Sequence, residues 1–224
     1  AEPIPDAAST YTVDGLRLYY CHIASPHVDV EWDPASVNNS RKSVERIWYF
    51  LAELEELEGT EKKPIDAWLD SRMHTHILNA NKSMEEIKLR DAANLIYFDI
   101  VNDLRWYMRR GGDNAALVKR TIDAWLPMMA PFTPHIAEEL WEMARHKDLI
   151  SMASYPKPES FTLNPAAEHS EDYIVSVQSD ISGILKMTGM KPTKICLYTA
   201  HGWKYDIQRK MFEEGMDMGT VMKE

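Results

Sequence analysis

Cysteine is nearly absent from this 224-residue sequence, and the two present, Cys21 and Cys196, cannot staple a disulfide framework. They point to a reducing compartment. Long apolar runs are missing too: none approaches the roughly 18 residues of a membrane helix, and no basic-then-apolar leader opens the chain. Positive charge is in deficit, with 25 Lys+Arg against 35 Asp+Glu and a net charge of −10. The average field therefore repels nucleic acid, and any RNA or DNA contact must come from a local basic patch. Catalytic signatures are lacking as well. There is no Gly-rich phosphate loop, no G-x-S-x-G and no H-E-x-x-H. His74 and His76 are two apart, so on a helix they diverge and read as ordinary histidines rather than metal ligands. Cys21 and His22 are adjacent without a third group to complete a nucleophile.

What is present is helical periodicity. With 45% hydrophobic residues the chain is globular and long enough to bury a core. Short helices are expected near Asp6 and from Asp14 to Ile23, then an extended connector closed by Asp33-Pro34. Four longer helices follow. One spans about Ser36 to Glu56, with Val44, Ile47, Trp48, Leu51 and Leu54 on one face. A second starts at Pro64, a third runs from Lys88 to Arg110 and stops at Gly111-Gly112, and a fourth runs from Asn114 to Met129. A fifth, shorter helix begins with Thr133 as its cap and Pro134 in its first turn. The predicted fold is mainly α, an antiparallel helical bundle. After a Pro-rich stretch, a helix over 168–187 with Ile174, Val177, Ile181 and Ile184 aligned, a strand at Lys194–Thr199, a helix near 204–214 and a last turn to Glu224 predict a small, truncated α/β tail.

The charge map carries the functional signal. Between Arg105 and Arg120 five cations, Arg105, Arg109, Arg110, Lys119 and Arg120, face one carboxylate, Asp113. Cations complement the dipole at a helix C-terminus, but that does not account for Lys119 and Arg120 in the next helix. A phosphate-binding ridge, with Trp106 and Tyr107 nearby, is the sharper reading. Arg41, Lys42 and Arg46 form a second basic group at a helix start, where the dipole disfavours them. Glu53, Glu55, Glu56 and Glu58 make an acidic end that could instead serve a helical protein-interaction module.

The run Leu126-Pro127-Met128-Met129-Ala130-Pro131-Phe132-Thr133-Pro134-His135-Ile136-Ala137-Glu138-Glu139-Leu140-Trp141 resembles the anticodon-binding helical domain of class I aminoacyl-tRNA synthetases of the Leu/Ile/Val/Met group. Val13-Asp14-Gly15-Leu16-Arg17-Leu18-Tyr19 resembles the helix that follows that family's KMSKS loop. The stretch 24–33 is similar to the connector of archaeal and eukaryotic-type leucyl enzymes, and 102–110 also resembles leucyl enzymes. The resemblance implies a C-terminal region of a leucyl-tRNA synthetase, organised as stem-contact helices and connector (1–34), helical bundle (35–153), linker (154–167) and the start of a C-terminal α/β extension (168–224). The opening Glu-Pro-Ile-Pro, without Met, fits the middle of a longer protein.

The resemblance also implies the partners and cofactors. The HIGH motif, the KMSKS lysines and the catalytic and editing domains have no counterpart in these residues. ATP with Mg, and the adenylation of leucine, would therefore belong to the parent enzyme, and this region alone would be inactive. It would hold tRNA(Leu) in the cytoplasm through its backbone, without membrane, DNA or metal. The equivalent region of an isoleucyl, valyl or methionyl enzyme is the nearer alternative. Carried onto this sequence, the RNA-contact candidates are Arg105, Arg109 and Arg110, then Lys119 and Arg120, then Arg41, Lys42 and Arg46. Arginine suits phosphate through its planar fork.

Overall fold

A computed structural model describes residues 4–23, 29 and 31–214. Two compact units emerge, Ala1–Val175 and Ser176–Glu224. The first contains α1 (Ile4–Tyr11), α2 (Val13–Ile23), α3 (Pro34–Glu55), α4 (Pro64–Glu85), α5 (Leu89–Asn94), a π-helical segment (Leu95–Asp99), α6 (Ile100–Arg109), α7 (Ala115–Met129) and α8 (Pro134–Met143). It also holds the first turns of α9 (Pro165–Thr188); α10 (Gly202–Glu214) lies in the second unit. Most of the 24–33 connector and the last turn to Glu224 fall outside the described residues.

The starts of these helices follow from local chemistry. Asp33 accepts from the N–H groups of Ala35 and Ser36, with Pro34 in the first turn of α3. These bonds, led by the Ser36 hydroxyl, hold the Asp33 carboxyl below its ordinary range. At the start of α4, Asp66 reaches back to the Lys63 N–H at 3.1 Å. Asn114 caps α7 by accepting from Leu117 N–H at 3.2 Å.

Two expectations change here. Thr133 precedes α8 but makes no capping bond. It is buried, and its hydroxyl instead meets Tyr97 Oη at 2.6 Å. The free donor at the start of α8 is met from another helix: Asp14 of α2 accepts from Ile136 N–H at 2.7 Å and sits 2.8 Å from His135 Nδ1. Because this cap ties two helices together, Asp14→Ala is expected to cost about 1–2 kcal/mol, read from the urea midpoint. An unchanged midpoint would return the capping role to Thr133.

The single helix expected from Lys88 to Arg110 is interrupted by the π turn at Leu95–Asp99, where Ile100 N–H reaches back to the Leu95 carbonyl. The Ile96 carbonyl takes the Trp125 indole N–H at 2.8 Å. A side chain inserted at such a carbonyl accompanies this kind of widening. Sequence periodicity cannot register it, because the apolar stripe stays apolar on both sides.

The core joins α3, α4, α6, α7 and α8 around Leu51, Leu69, Ile77, Leu104, Trp125 and Leu140, all fully buried. Of the expected α3 stripe, Val44, Ile47, Leu51 and Leu54 are buried and Trp48 is only partly so. The Pro-rich stretch is no plain linker either, since it sends buried Phe161 into the core.

The tail corrects the sequence reading. Among the described residues there is no strand, and Lys194–Thr199 is irregular, with Leu197 64% and Tyr198 94% exposed. A lone strand has no neighbour for its N–H and C=O groups, so water keeps them and the segment stays uncoiled from any sheet. The described tail is helix and coil, not α/β. On α9 the aligned stripe is only partly covered, and Ile184 is 54% exposed.

Candidate nucleic-acid interface

The basic end of α6 is fixed by a Schellman motif. Gly112 N–H reaches the Tyr107 carbonyl and Gly111 N–H the Met108 carbonyl, each at 2.9 Å, with Gly111 at φ +83°. A Cβ on Gly112 would lie 2.3 Å from the Tyr107 ring, so glycine is required at that contact. Just beyond, Tyr107 donates to Asp66 Oδ1 at 2.7 Å and accepts from Asn114 N–H at 3.0 Å, while Asn114 Nδ2 donates to Asp66 Oδ2 at 2.9 Å. Burial first, then the bond to Asp66, pushes the Tyr107 phenol up. Three helices, α4, α6 and α7, are thus tied at one carboxylate, and the direction of the α6 cations is set by that knot.

The eight sequence candidates separate into two groups. Arg110 donates to Glu171 of α9 through Nε at 2.9 Å and Nη2 at 3.2 Å. Glu171 is buried and also takes the Trp106 indole N–H at 3.0 Å. Arg120 pairs with Asp70 and lies over the Phe161 ring at 4.8 Å. Lys119 pairs with Asp123 at 3.1 Å and Arg41 with Glu45, each one helical turn along. These four have carboxylate partners within the chain.

Arg105, Arg109, Lys42 and Arg46 have no such partner among the described residues. Arg105 is exposed, its guanidinium 5.1 Å from the Phe50 ring centroid, and Arg109 lies 5.7 Å from the Trp106 ring. Arg46 and Arg105 line one open groove of about 380 Å³ between α3 and α6, together with Tyr49, Phe50, Glu53 and Met108. A smaller recess of about 80 Å³ beside it has the same two arginines, with Tyr97, Phe98 and Asn102. One arginine from each of the two basic groups that sequence reading kept apart, Arg46 and Arg105, therefore meets the other across this helix pair.

Tyr107 is buried and Trp106 is bound to Glu171, so neither offers an open ring face. Tyr49, 74% exposed, is the aromatic the groove presents. Sequence reading passed over it, although Arg46, Tyr49 or Phe50, and Glu53 stand at the i, i+3/i+4, i+7 spacing of one helix face.

The histidines divide as their spacing implies. His74 Nδ1 lies 3.0 Å from the Phe161 carbonyl, whereas buried His76 lies 2.7 Å from Asp103, which also takes Arg72 Nε at 2.7 Å. Cys21 is half-buried, and burial pushes its thiol up, away from nucleophile character. Among the described residues no group of three or more His, Cys, Asp or Glu could hold a metal ion, and no helix is long and apolar enough to cross a membrane.

Residues 66–197 match the anticodon-binding domain of tRNA ligases. The chain belongs to that family. Two relatives of this anticodon-binding domain are leucine–tRNA ligases. That of Methanosarcina mazei is 37% identical over 229 residues, covering 98% of this chain and 24% of its own length. That of Pyrococcus abyssi is 36% identical over 231 residues, with the same two coverages. The chain thus spans about a quarter of the length of the curated relatives it matches. Among solved structures, a LeuRS of Agrobacterium radiobacter K84, in a ternary complex with tRNA and LeuAMS, superposes with TM-score 0.61 at 16% identity. It covers 75% of this chain and 21% of that one. At that identity the likeness establishes the fold of the domain.

Proposed function

We propose that this anticodon-binding domain is the tRNA-positioning region of a leucine–tRNA ligase, working in the cytoplasm beside the catalytic and editing domains of its parent protein. Those domains would take ATP with Mg, join leucine to the tRNA and check the product; this region would hold the tRNA body. The observation that carries the reading is the set of four cations without a carboxylate partner among the described residues, Lys42 and Arg46 on α3 and Arg105 and Arg109 on α6, of which Arg46 and Arg105 line one groove. Their lack of carboxylate partners leaves them free for phosphate. Contacts of this kind place an RNA without reading its bases.

The leucine assignment is supported by the relatives at 37% and 36% identity, both leucine–tRNA ligases. Because the net charge is −10, binding should be weak wherever this patch is not aligned with the RNA backbone. Filter binding of tRNA(Leu) across a salt series tests the proposal. Four phosphate contacts predict that log K falls against log salt with slope about −3.6, taking the duplex coefficient for the RNA. A slope near zero, or no retention at low salt, would overturn it.

A further inference from the structure

The groove between α3 and α6 is more than a basic surface. Its floor is hydrophobic, with buried Phe50 under the Arg105 guanidinium at 5.1 Å. Its wall carries the exposed ring of Tyr49, 74% accessible. Arg46 and Arg105 both line it, and Glu53 closes the far end of the α3 side. Glu53 shares the groove with two arginines, yet among the described ion pairs it joins neither. An acid, two cations and an aromatic face thus stand around about 380 Å³ of open space without satisfying one another.

We propose that this groove seats one unpaired nucleotide of the bound tRNA, its base stacked on Tyr49, its phosphates between Arg46 and Arg105, and its donor edge on Glu53. The proposal rests on the tRNA-binding reading above and adds a base contact to it. In an A-form helix a base's faces are stacked on its neighbours and its Watson–Crick edge is paired, whereas an unstacked base can be splayed onto an aromatic face and read along that edge. Arg46 and Glu53 are seven residues apart on α3, about 10 Å along the axis. That is the reach of a nucleotide from its phosphate to its far base edge.

The chemistry of Glu53 selects the base. An ionised carboxylate only accepts hydrogen bonds. Guanine turns two neighbouring donors, N1–H and the N2 amine, toward such a fork, while uracil offers one N–H between two carbonyls. The groove should therefore favour guanine over uracil.

The test uses the 224-residue chain with three labelled RNAs followed by fluorescence anisotropy: a tRNA(Leu) transcript, the single-stranded heptamer UUUGUUU and its all-uridine counterpart. Stacking on an aromatic side chain predicts that Tyr49→Ala weakens the guanosine heptamer and the tRNA by about 5- to 50-fold. Tyr49→Phe, which keeps the ring face, should stay within about twofold of the unaltered chain, since stacking does not use the hydroxyl. Glu53→Gln should erase the preference for the guanosine heptamer. The exposed position of Tyr49 means that far-UV circular dichroism should be unchanged in its variants.

Equal binding by Tyr49→Ala and the unaltered chain overturns the stacking site, and so does a Tyr49→Phe loss as deep as that of Tyr49→Ala. Equal affinity for the two heptamers removes Glu53 as the reader of the base. If tRNA binding falls in Arg46→Ala or Arg105→Ala but not in Tyr49→Ala, the nucleotide seat fails while the tRNA-binding reading stands. Absence of tRNA binding by the unaltered chain at low salt overturns that reading itself.

Discussion

Asp66→Ala is expected to lower the unfolding free energy by about 3–4 kcal/mol, the largest loss from a single polar substitution in this bundle. The carboxylate is buried and accepts three hydrogen bonds, from the Tyr107 hydroxyl, the Asn114 amide and the Lys63 N–H. Its removal leaves three donors without partners at the point where α4, α6 and α7 converge, and an unmet buried donor costs about 1–3 kcal/mol. Asp66→Asn should cost less, because its one carbonyl oxygen still serves Tyr107 while the amide clashes with the other two donors. Urea titration checks this through the midpoint at constant m. A loss below about 1 kcal/mol in Asp66→Ala would mean that water meets these donors, and that the knot does not set the direction of α6.

The double variant Arg46→Ala with Arg105→Ala is expected to weaken tRNA(Leu) binding by about 10- to 30-fold, roughly 1.4–2 kcal/mol. Lys119→Ala with Arg120→Ala should change it less than about threefold, because side chains held by Asp123 and Asp70 must surrender those partners to reach a phosphate. Both doubles carry the same change of charge, so a purely long-range field would weaken them equally. Filter binding at one salt concentration, with thermal melts to confirm folding, separates the two. Equal losses would assign binding to net charge rather than to the α3–α6 groove. Arg110→Ala should show its effect in the melt, since its guanidinium is engaged by buried Glu171.

Much of this architecture was legible in the sequence. The apolar spacing of Val44, Ile47, Leu51 and Leu54, the prolines at positions 64 and 134, and Gly111-Gly112 located α3, α4, α8 and the end of α6 within a few residues. Long-range partners were not legible. Nothing near Thr133 in the sequence says that its hydroxyl will be taken by Tyr97, or that Asp14, more than a hundred residues away, will meet the start of α8. The same limit applied to the basic residues. A cluster of cations in sequence looks uniform until folding brings Glu171 to Arg110 and Asp70 to Arg120. The strand at Lys194–Thr199 failed for a related reason, because β-propensity needs a neighbouring strand that local sequence does not supply.

The five-residue π turn at Leu95–Asp99 acts as a phase shifter on the helical stretch that joins α5 to α6. An α-helix advances about 100° per residue, so one surplus residue in a turn rotates everything downstream by about that angle relative to an uninterrupted helix. Without it, Arg105 would move round toward the place now held by its successor, Trp106, and the azimuth that Arg105 now holds would pass to apolar Leu104. The stretch can thus turn Ala92 and Ala93 into the core at one end and still aim Arg105 at the α3 groove at the other. The Trp125 indole that holds the Ile96 carbonyl is, in this sense, the pin that sets the angular position of the basic ridge.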